Sequence, residues 1–267
     1  MPMTINTNVV SLNAQRNLGT SQMSLATSMQ RLSSGLRINS AKDDASGLAI
    51  ADRMNAQVRG INVAIRNAND GISMAQTAEG ALSTVTDALQ RMRELAVQAQ
   101  NGTNSTSDRL NSDTEYQALS QEITRIAAQT KFNGSAIIGA SAGAQVFQVG
   151  ANNGDTLNIT TTTVTTVGGS LTTAANASTA VAALDTALDT ISTSRASSGA
   201  AMNRFGLAIS NLAISGENQS AARGRIMDAD FASETANLSR SQILQQAGTA
   251  MVSQANQLPN QVMALLR

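Results

Sequence analysis

The chain has 267 residues with 18 basic and 18 acidic side chains, and it contains no His, Cys or Trp, one Tyr, four Phe and only two Lys, Lys42 and Lys131. Without imidazole or thiol, the usual transition-metal sites, His-dependent general bases and thiol nucleophiles are excluded; zero net charge gives no basic surface for nucleic acid. The length allows one large domain or two small ones, and an aromatic-poor core must be built from Leu, Ile, Val, Met and Ala, which suits long helices packed side by side.

The first helical segment carries apolar residues at Ile5, Val9, Leu12, Leu18, Leu25, Met29, Leu32 and Leu36. Gaps of seven, four and three make one stripe, with a register shift near Leu18. Gly35 and the polar run through Asp43 and Asp44 read as a joint, the two aspartates being placed to cap the next helix. A long helix then runs from Ala45 to Gln100, with Ile72, Ala75, Leu82, Val85, Leu89, Met92, Ala96 and Ala99 on one face. Asn101-Gly102 opens a polar turn before a shorter helix with Tyr116, Leu119, Ile123 and Ile126.

Beyond Asn133-Gly134 the helical period stops. Gln145–Val149 and Thr156–Thr160 read as short strands joined by Asn152-Asn153-Gly154-Asp155, a hairpin signal. The Thr-rich stretch after them is low in complexity and expected at the surface. Helical period returns with Leu184, Leu188, Ile191, Met202, Phe205, Ile209 and Leu212, where alternating four and three predicts a coiled coil with polar seam positions at Arg195 and Ser198. Asp228 and Asp230 mark a second joint. The last helix carries Leu244, Gly248, Met251, Ala255, Leu258, Val262 and Leu265 on the same spacing, and Pro259 is expected to bend it or remove one hydrogen bond.

Neither the first fifteen residues nor the stretch between Arg240 and Arg267 contains a charged side chain. A free surface helix normally carries charge on its outer face, so two uncharged amphipathic ends predict burial on all sides in an assembly. The ends are expected to pair with each other and then to pack against neighbouring copies. Polar tails that are disordered until copies meet fit the same composition. The N-terminus has neither a basic region nor an apolar run of secretory type, and no stretch approaches the roughly 20 apolar residues of a membrane span, so no membrane partner is expected.

The opening INTNVVSLNAQRNL, the stretch LQRMRELAVQAQNGTNS, the segment QTKFNG and the ending SRSQILQQAGTAMVSQANQLPNQVMALLR resemble bacterial flagellin over roughly residues 1 to 135 and 195 to 267. The resemblance implies a mainly α fold, in which long antiparallel helices form coiled coils at both chain ends and a helical rod, with a small central β-hairpin region. Residues 1–44 and 228–267 are then an inner coiled coil, 45–135 with 176–227 the rod, and 136–175 a hairpin and variable segment.

It also implies a filament subunit for swimming motility, exported to the cell exterior without a cleaved signal peptide and needing no cofactor or metal. Its implied partners are further copies of itself, an export chaperone, filament cap and hook-junction proteins and host innate immune receptors. Ile5, Val9, Leu12, Leu25, Leu32, Leu244, Met251, Leu258, Val262 and Leu265 are the expected coiled-coil and polymerisation residues. Leu244, Met251, Leu258 and Val262 are also candidates for the chaperone contact. By motif, a Toll-like receptor contact falls on Arg91, Leu95 and Glu115, with Leu95 expected at the surface, and the ending Val262 to Leu266 resembles a part sensed by cytosolic receptors. The competing readings are a hook–filament junction protein of the same superfamily, an unrelated secreted coiled-coil binding protein and a hydrolase using carboxylates alone.

Overall fold

In a computed structural model of the protein, residues 7–139, 142–165 and 167–265 are described, with side chains described as far as residue 257. Five helices dominate: α1 (Val9–Ser34), α2 (Ala45–Gln100), α3 (Thr106–Gln129), α4 (Ala174–Met227) and α5 (Phe231–Leu265). Four short strands, β1 (Lys131–Phe132), β2 (Ser135–Ala136), β3 (Ala144–Gln148) and β4 (Thr156–Thr160), form two separate antiparallel pairs. The mainly α fold and the β3–β4 hairpin are those the sequence predicts, and α5 continues as helix through Pro259.

The chain divides into two compact units. One joins the chain up to Ala56 with the chain from Asn218 onward; the other is Gln57–Glu217. These limits fall inside α2 and α4, whereas the sequence reading put its boundaries at the breaks between helices. Within the terminal unit, Arg223 Nη1 donates to Asn55 Oδ1 at 2.9 Å, tying the end of α4 to the start of α2.

In the Gln57–Glu217 unit, α2, α3 and α4 share one aliphatic core, with Leu82, Val85, Leu89, Met92, Ile123, Leu184 and Ile191 among its buried members. An α-helix leaves the backbone polar groups of its first and last turns without intrahelical partners, and local devices take over there. Ser105 and Asp108 form a reciprocal capping box at the start of α3. Arg109 reaches back to the carbonyls of Ala99 and Asn101 at the end of α2, at 2.9 and 3.1 Å. Phe205 is fully buried and meets the ring of Phe147 edge to face at 5.6 Å, which holds the β3–β4 hairpin on the helices. Asn67 Nδ2 adds a hydrogen bond to the Gln148 carbonyl at 3.0 Å.

Two features differ from the sequence expectation. The β1–β2 hairpin is additional: Asn133 and Gly134 have φ of 48° and 83°, the paired positive values that a tight two-residue hairpin turn demands. The Thr-rich stretch is not wholly at the surface either. Val167 and Leu171 are buried, and Val164 packs against the same core. The strap is fixed by its backbone as well: Val164 N–H donates to Ile138 O at 2.9 Å, and Leu171 N–H to the Asp113 carboxylate at 2.6 Å. Three apolar side chains at spacings of three and four are enough to peg a polar segment down, although low overall hydrophobicity hides them.

In the terminal unit, Gly35 ends α1 at φ 71°, a left-handed conformation that costs an L side chain energy, and its N–H donates to Arg31 O at 2.9 Å. The two joints lie side by side. Leu36 and Asp228 form an antiparallel bridge, flanked by Arg37 N–H to Met227 O at 2.6 Å and Ala229 N–H to Gly35 O at 3.0 Å. Asp44 Oδ1 accepts from Gly47 N–H at 2.8 Å, capping α2, and Asp230 Oδ1 accepts from Ala232 N–H at 3.0 Å at the start of α5. Asp43 serves the preceding turn, accepting from the N–H groups of Asn39 and Ser40 at 3.1 and 2.9 Å. Hydrogen bonds from these amides hold the Asp43 carboxyl below its ordinary range, and the Gly47 amide does the same for Asp44.

Candidate assembly surface

Helices α1 and α5 pair antiparallel. Near one end Asn8 Nδ2 donates to Ala255 O at 2.8 Å and Ser11 Oγ donates to Asn256 Oδ1 at 2.7 Å; near the other, Arg31 and Glu234 are 3.7 Å apart. Midway, a methyl group placed on Gly248 would stand 3.0 Å from the tip of Leu18. Glycine therefore lets the two helices close on each other there.

The side chains withdrawn from solvent on α1 are Ser11, Ala14, Leu18, Ser21, Leu25, Ser28 and Leu32. Their spacing alternates three and four without a break. On α5 the corresponding set is Glu234, Leu238, Ser241, Gln245, Gly248, Val252 and Ala255, again on four and three. These are coiled-coil seams, but more than half of their members are small or polar. Ser11, Ser28, Ser241 and Glu234 are among the buried polar residues of the molecule.

This corrects the sequence reading of the seam. Val9, Leu12, Leu244 and Met251 were expected along it, yet they are between 49% and 63% exposed and flank it. Leu25 and Leu32 do lie in the seam, partly buried. The register shift inferred near Leu18 disappears once Ser11 and Ala14 are counted, because the heptad continues through them. Ile5 lies outside the described residues, and Leu258, Val262 and Leu265 outside the described side chains. A pattern search restricted to large apolar residues selects the exposed flank; including Ser, Ala and Gly recovers the buried one.

The pair thus mixes small and polar residues with leucines inside and leaves several large apolar side chains outside. Val10, Met23, Met29 and Ile243 join the four residues above on its exposed surface, and a groove of about 620 Å³ runs between the helices, lined by Val9, Leu18, Leu244 and Met251 among others. Val9, Val10, Leu244 and Met251 share that groove, and clustered exposed apolar surface marks a site of association. The first charged side chain of α1 is Arg16, and α5 carries none after Arg240 in the described chain, so this surface has no electrostatic barrier to burial.

On the other unit, Arg91 bridges two carboxylates, with Nε 2.8 Å from Glu115 across the α2–α3 interface and Nη1 2.9 Å from Glu94. Its hydrogen bonds to Glu115 and then to Glu94 raise its already high basicity further. The pair is exposed. Leu95 is not: at 3% exposure it belongs to the core. The expectation of an exposed leucine missed that Met92, Leu95 and Ala99 are themselves spaced by three and four, giving α2 a second buried row where α3 covers it. The exposed apolar neighbour on this stretch is Val97.

Among the described residues no group of three or more carboxylates could hold a metal ion, and no helix is long and apolar enough to cross a membrane.

Residues 5–142 match the family described as the bacterial flagellin N-terminal helical region, and residues 181–266 match the bacterial flagellin C-terminal helical region. The chain is 44% identical over 272 residues to flagellin of Halalkalibacterium halodurans, covering 99% of this chain and 100% of that protein. To flagellin A of Vibrio anguillarum it is 36% identical over 379 residues, with 100% of both chains covered. Among solved structures it is similar to the crystal structure of Bacillus cereus flagellin, with 35% identity and a TM-score of 0.52 over 55% of this chain and 88% of that one.

Proposed function

The chain belongs to the bacterial flagellin family and is a structural subunit of the extracellular flagellar filament, and from that premise we propose that the apolar flank of the α1–α5 pair is what joins one copy to the next. Residues 1–44 and 228–267 act as the inner coiled coil of this assembly, and the protein works as a building block, with no catalytic step. The observation that carries the reading is the apolar surface the pair leaves uncovered: Val9, Leu12, Leu244 and Met251 are exposed, while small and polar residues share the seam with its leucines. Each such side chain contributes about 1.5–3 kcal/mol when it passes from water into a packed contact. The summed gain from several, repeated on every copy, is enough to order helices that are marginal alone.

The same flank has to be kept from premature association before export, so an export chaperone binds α5 through Leu244 and Met251. Cap and hook-junction proteins meet the same surface at the two ends of the filament. Host receptor recognition at the α2–α3 face uses the exposed Arg91–Glu115 pair, with Leu95 holding the helix from beneath.

Electron microscopy of purified protein seeded with filament fragments tests the assembly reading. Long helical fibres are expected from the parent chain, and Leu244→Ser with Met251→Ser should abolish their growth while leaving the melting of the Gln57–Glu217 unit unchanged. Fibres of normal length from the double variant would remove these residues from the contact.

A further inference from the structure

We propose that Met23, Met29 and Met251 form an oxidation site through which peroxide-class oxidants block addition of the subunit to its filament. The inference rests on the assembly surface assigned above.

Oxidation chemistry has little else to act on in this chain. His, Cys and Trp are absent and the single tyrosine, Tyr116, is fully buried. The methionine thioether is therefore the readily oxidised side chain within reach of solvent, and the fold sorts the methionines sharply. Met74 and Met92 are buried in the helical core, and Met54, Met202 and Met227 are partly covered. Met23, Met29 and Met251 are 67%, 57% and 60% exposed, and all three lie on the α1–α5 pair. Met1, Met3 and Met263 lie outside the described side chains.

With hydrogen peroxide the thioether sulfur attacks one peroxide oxygen. The O–O bond breaks, an S–O bond forms, the sulfur loses two electrons, the peroxide is reduced, and water leaves. The product is a polar, chiral sulfoxide in place of a flexible apolar group. In the free subunit water solvates the new oxygen, so the fold is undisturbed. Met251 lines a groove whose walls are mostly apolar, Val9, Val10, Leu18 and Leu244 among them, with Asn13, Asn17, Ser21 and Gln254 as its polar members. A sulfoxide there must shed water when a second copy covers the groove, and that desolvation opposes docking. Assembly, once complete, covers the sulfurs. The site is sensitive before the subunit joins and shielded afterwards.

The test treats full-length monomer and finished filament separately with hydrogen peroxide at neutral pH, follows each methionine by peptide mass spectrometry, and then measures elongation of fresh seeds. In the monomer, Met23, Met29 and Met251 are expected to oxidise about tenfold faster than Met74 and Met92, with elongation reduced by about the same factor. In the filament those three should react about tenfold more slowly than in the monomer. Methionine sulfoxide reductases with a dithiol should restore elongation, and Met23→Leu, Met29→Leu and Met251→Leu combined should elongate equally with and without peroxide, since Leu keeps the volume and lacks the sulfur. Oxidised monomer that elongates at the untreated rate, equal reactivity in monomer and filament, or inhibition of the triple variant by peroxide overturns the inference. If the triple variant fails to elongate untreated, the reductase decides: sulfoxides reduced without recovery of elongation overturn it. Failure of untreated parent protein to form fibres would instead overturn the assembly surface itself.

Discussion

Tyr116 lies fully buried on α3, and its hydroxyl has no hydrogen-bond partner among the described residues; a methyl group on Gly169 would stand 3.2 Å from it. Burial first, and the charge of Asp113 second, push this phenol above its usual value near 10. A group raised in the folded state contributes stability that is fully present below its unfolded value and is lost as pH rises through its folded one. Tyr116→Phe keeps the ring and removes the ionisation. At pH 8 its thermal stability is expected to stay within about 1 kcal/mol of the parent or to rise, because an unpaired hydroxyl gives nothing to the fold. Melting curves from pH 8 to 12 should show the parent losing stability above pH 10 more steeply than the variant, and superimposable curves would refute the assignment. Single residues were the hardest scale to read in advance. Tyr116 was legible as part of an apolar row, but Leu95 was not, since its burial depends on where α3 crosses α2, which no local pattern encodes.

The helix ends are set by short-range chemistry, and that is why they were readable. Asp44 was identified as a cap from its position between a polar run and an apolar period, and its carboxylate does accept from the Gly47 and Ser46 groups, at 2.8 and 2.9 Å. Those bonds lower its pKa, so its stabilising contribution is present above the ordinary carboxylate value near 3.8 and lost as pH falls through the lowered one. Asp44→Asn retains an acceptor for Gly47 N–H but cannot be neutralised by acid. Circular dichroism from pH 6 to 2 should show equal helicity at pH 6 and a smaller acid loss for the variant; the difference matters here because Asp43, Asp108 and Glu122 are lowered in the same direction. The α1–α5 seam shows the opposite case. Its period was present in Ser11, Ala14, Ser21 and Ser28, but reading by hydrophobicity favours Val9 and Leu12. Close helix approach selects small residues, whereas the large apolar ones are reserved for a surface whose partner is another molecule. A single chain's sequence does not say which apolar stripe meets its own partner helix.

At the scale of the whole molecule, the two units divide the work. The Gln57–Glu217 unit holds a closed aliphatic core with its ion pairs at the rim, including Arg93–Asp185 at 2.6 Å and Arg195–Glu79 at 2.8 Å. The terminal unit holds exposed apolar surface and a seam of mostly small and polar residues. A body built in the first way is stable alone; one built in the second is stable chiefly when covered. Removing residues 241–267 separates these properties. The deletion takes Leu244, Gly248, Met251 and Ala255 and leaves every residue of the Gln57–Glu217 core in place. The truncated chain is therefore expected to retain a cooperative thermal transition and most of the helicity of α2, α3 and α4 by circular dichroism, and to add nothing to seeds under electron microscopy. The uncharged ends are what connects sequence to assembly here: a free helix needs charge for solubility, and the proposed assembly surface gives these ends a protein environment in its place. Continued fibre growth by the truncated chain would break that connection, since it would show the polymer held together by the charged, self-sufficient unit alone.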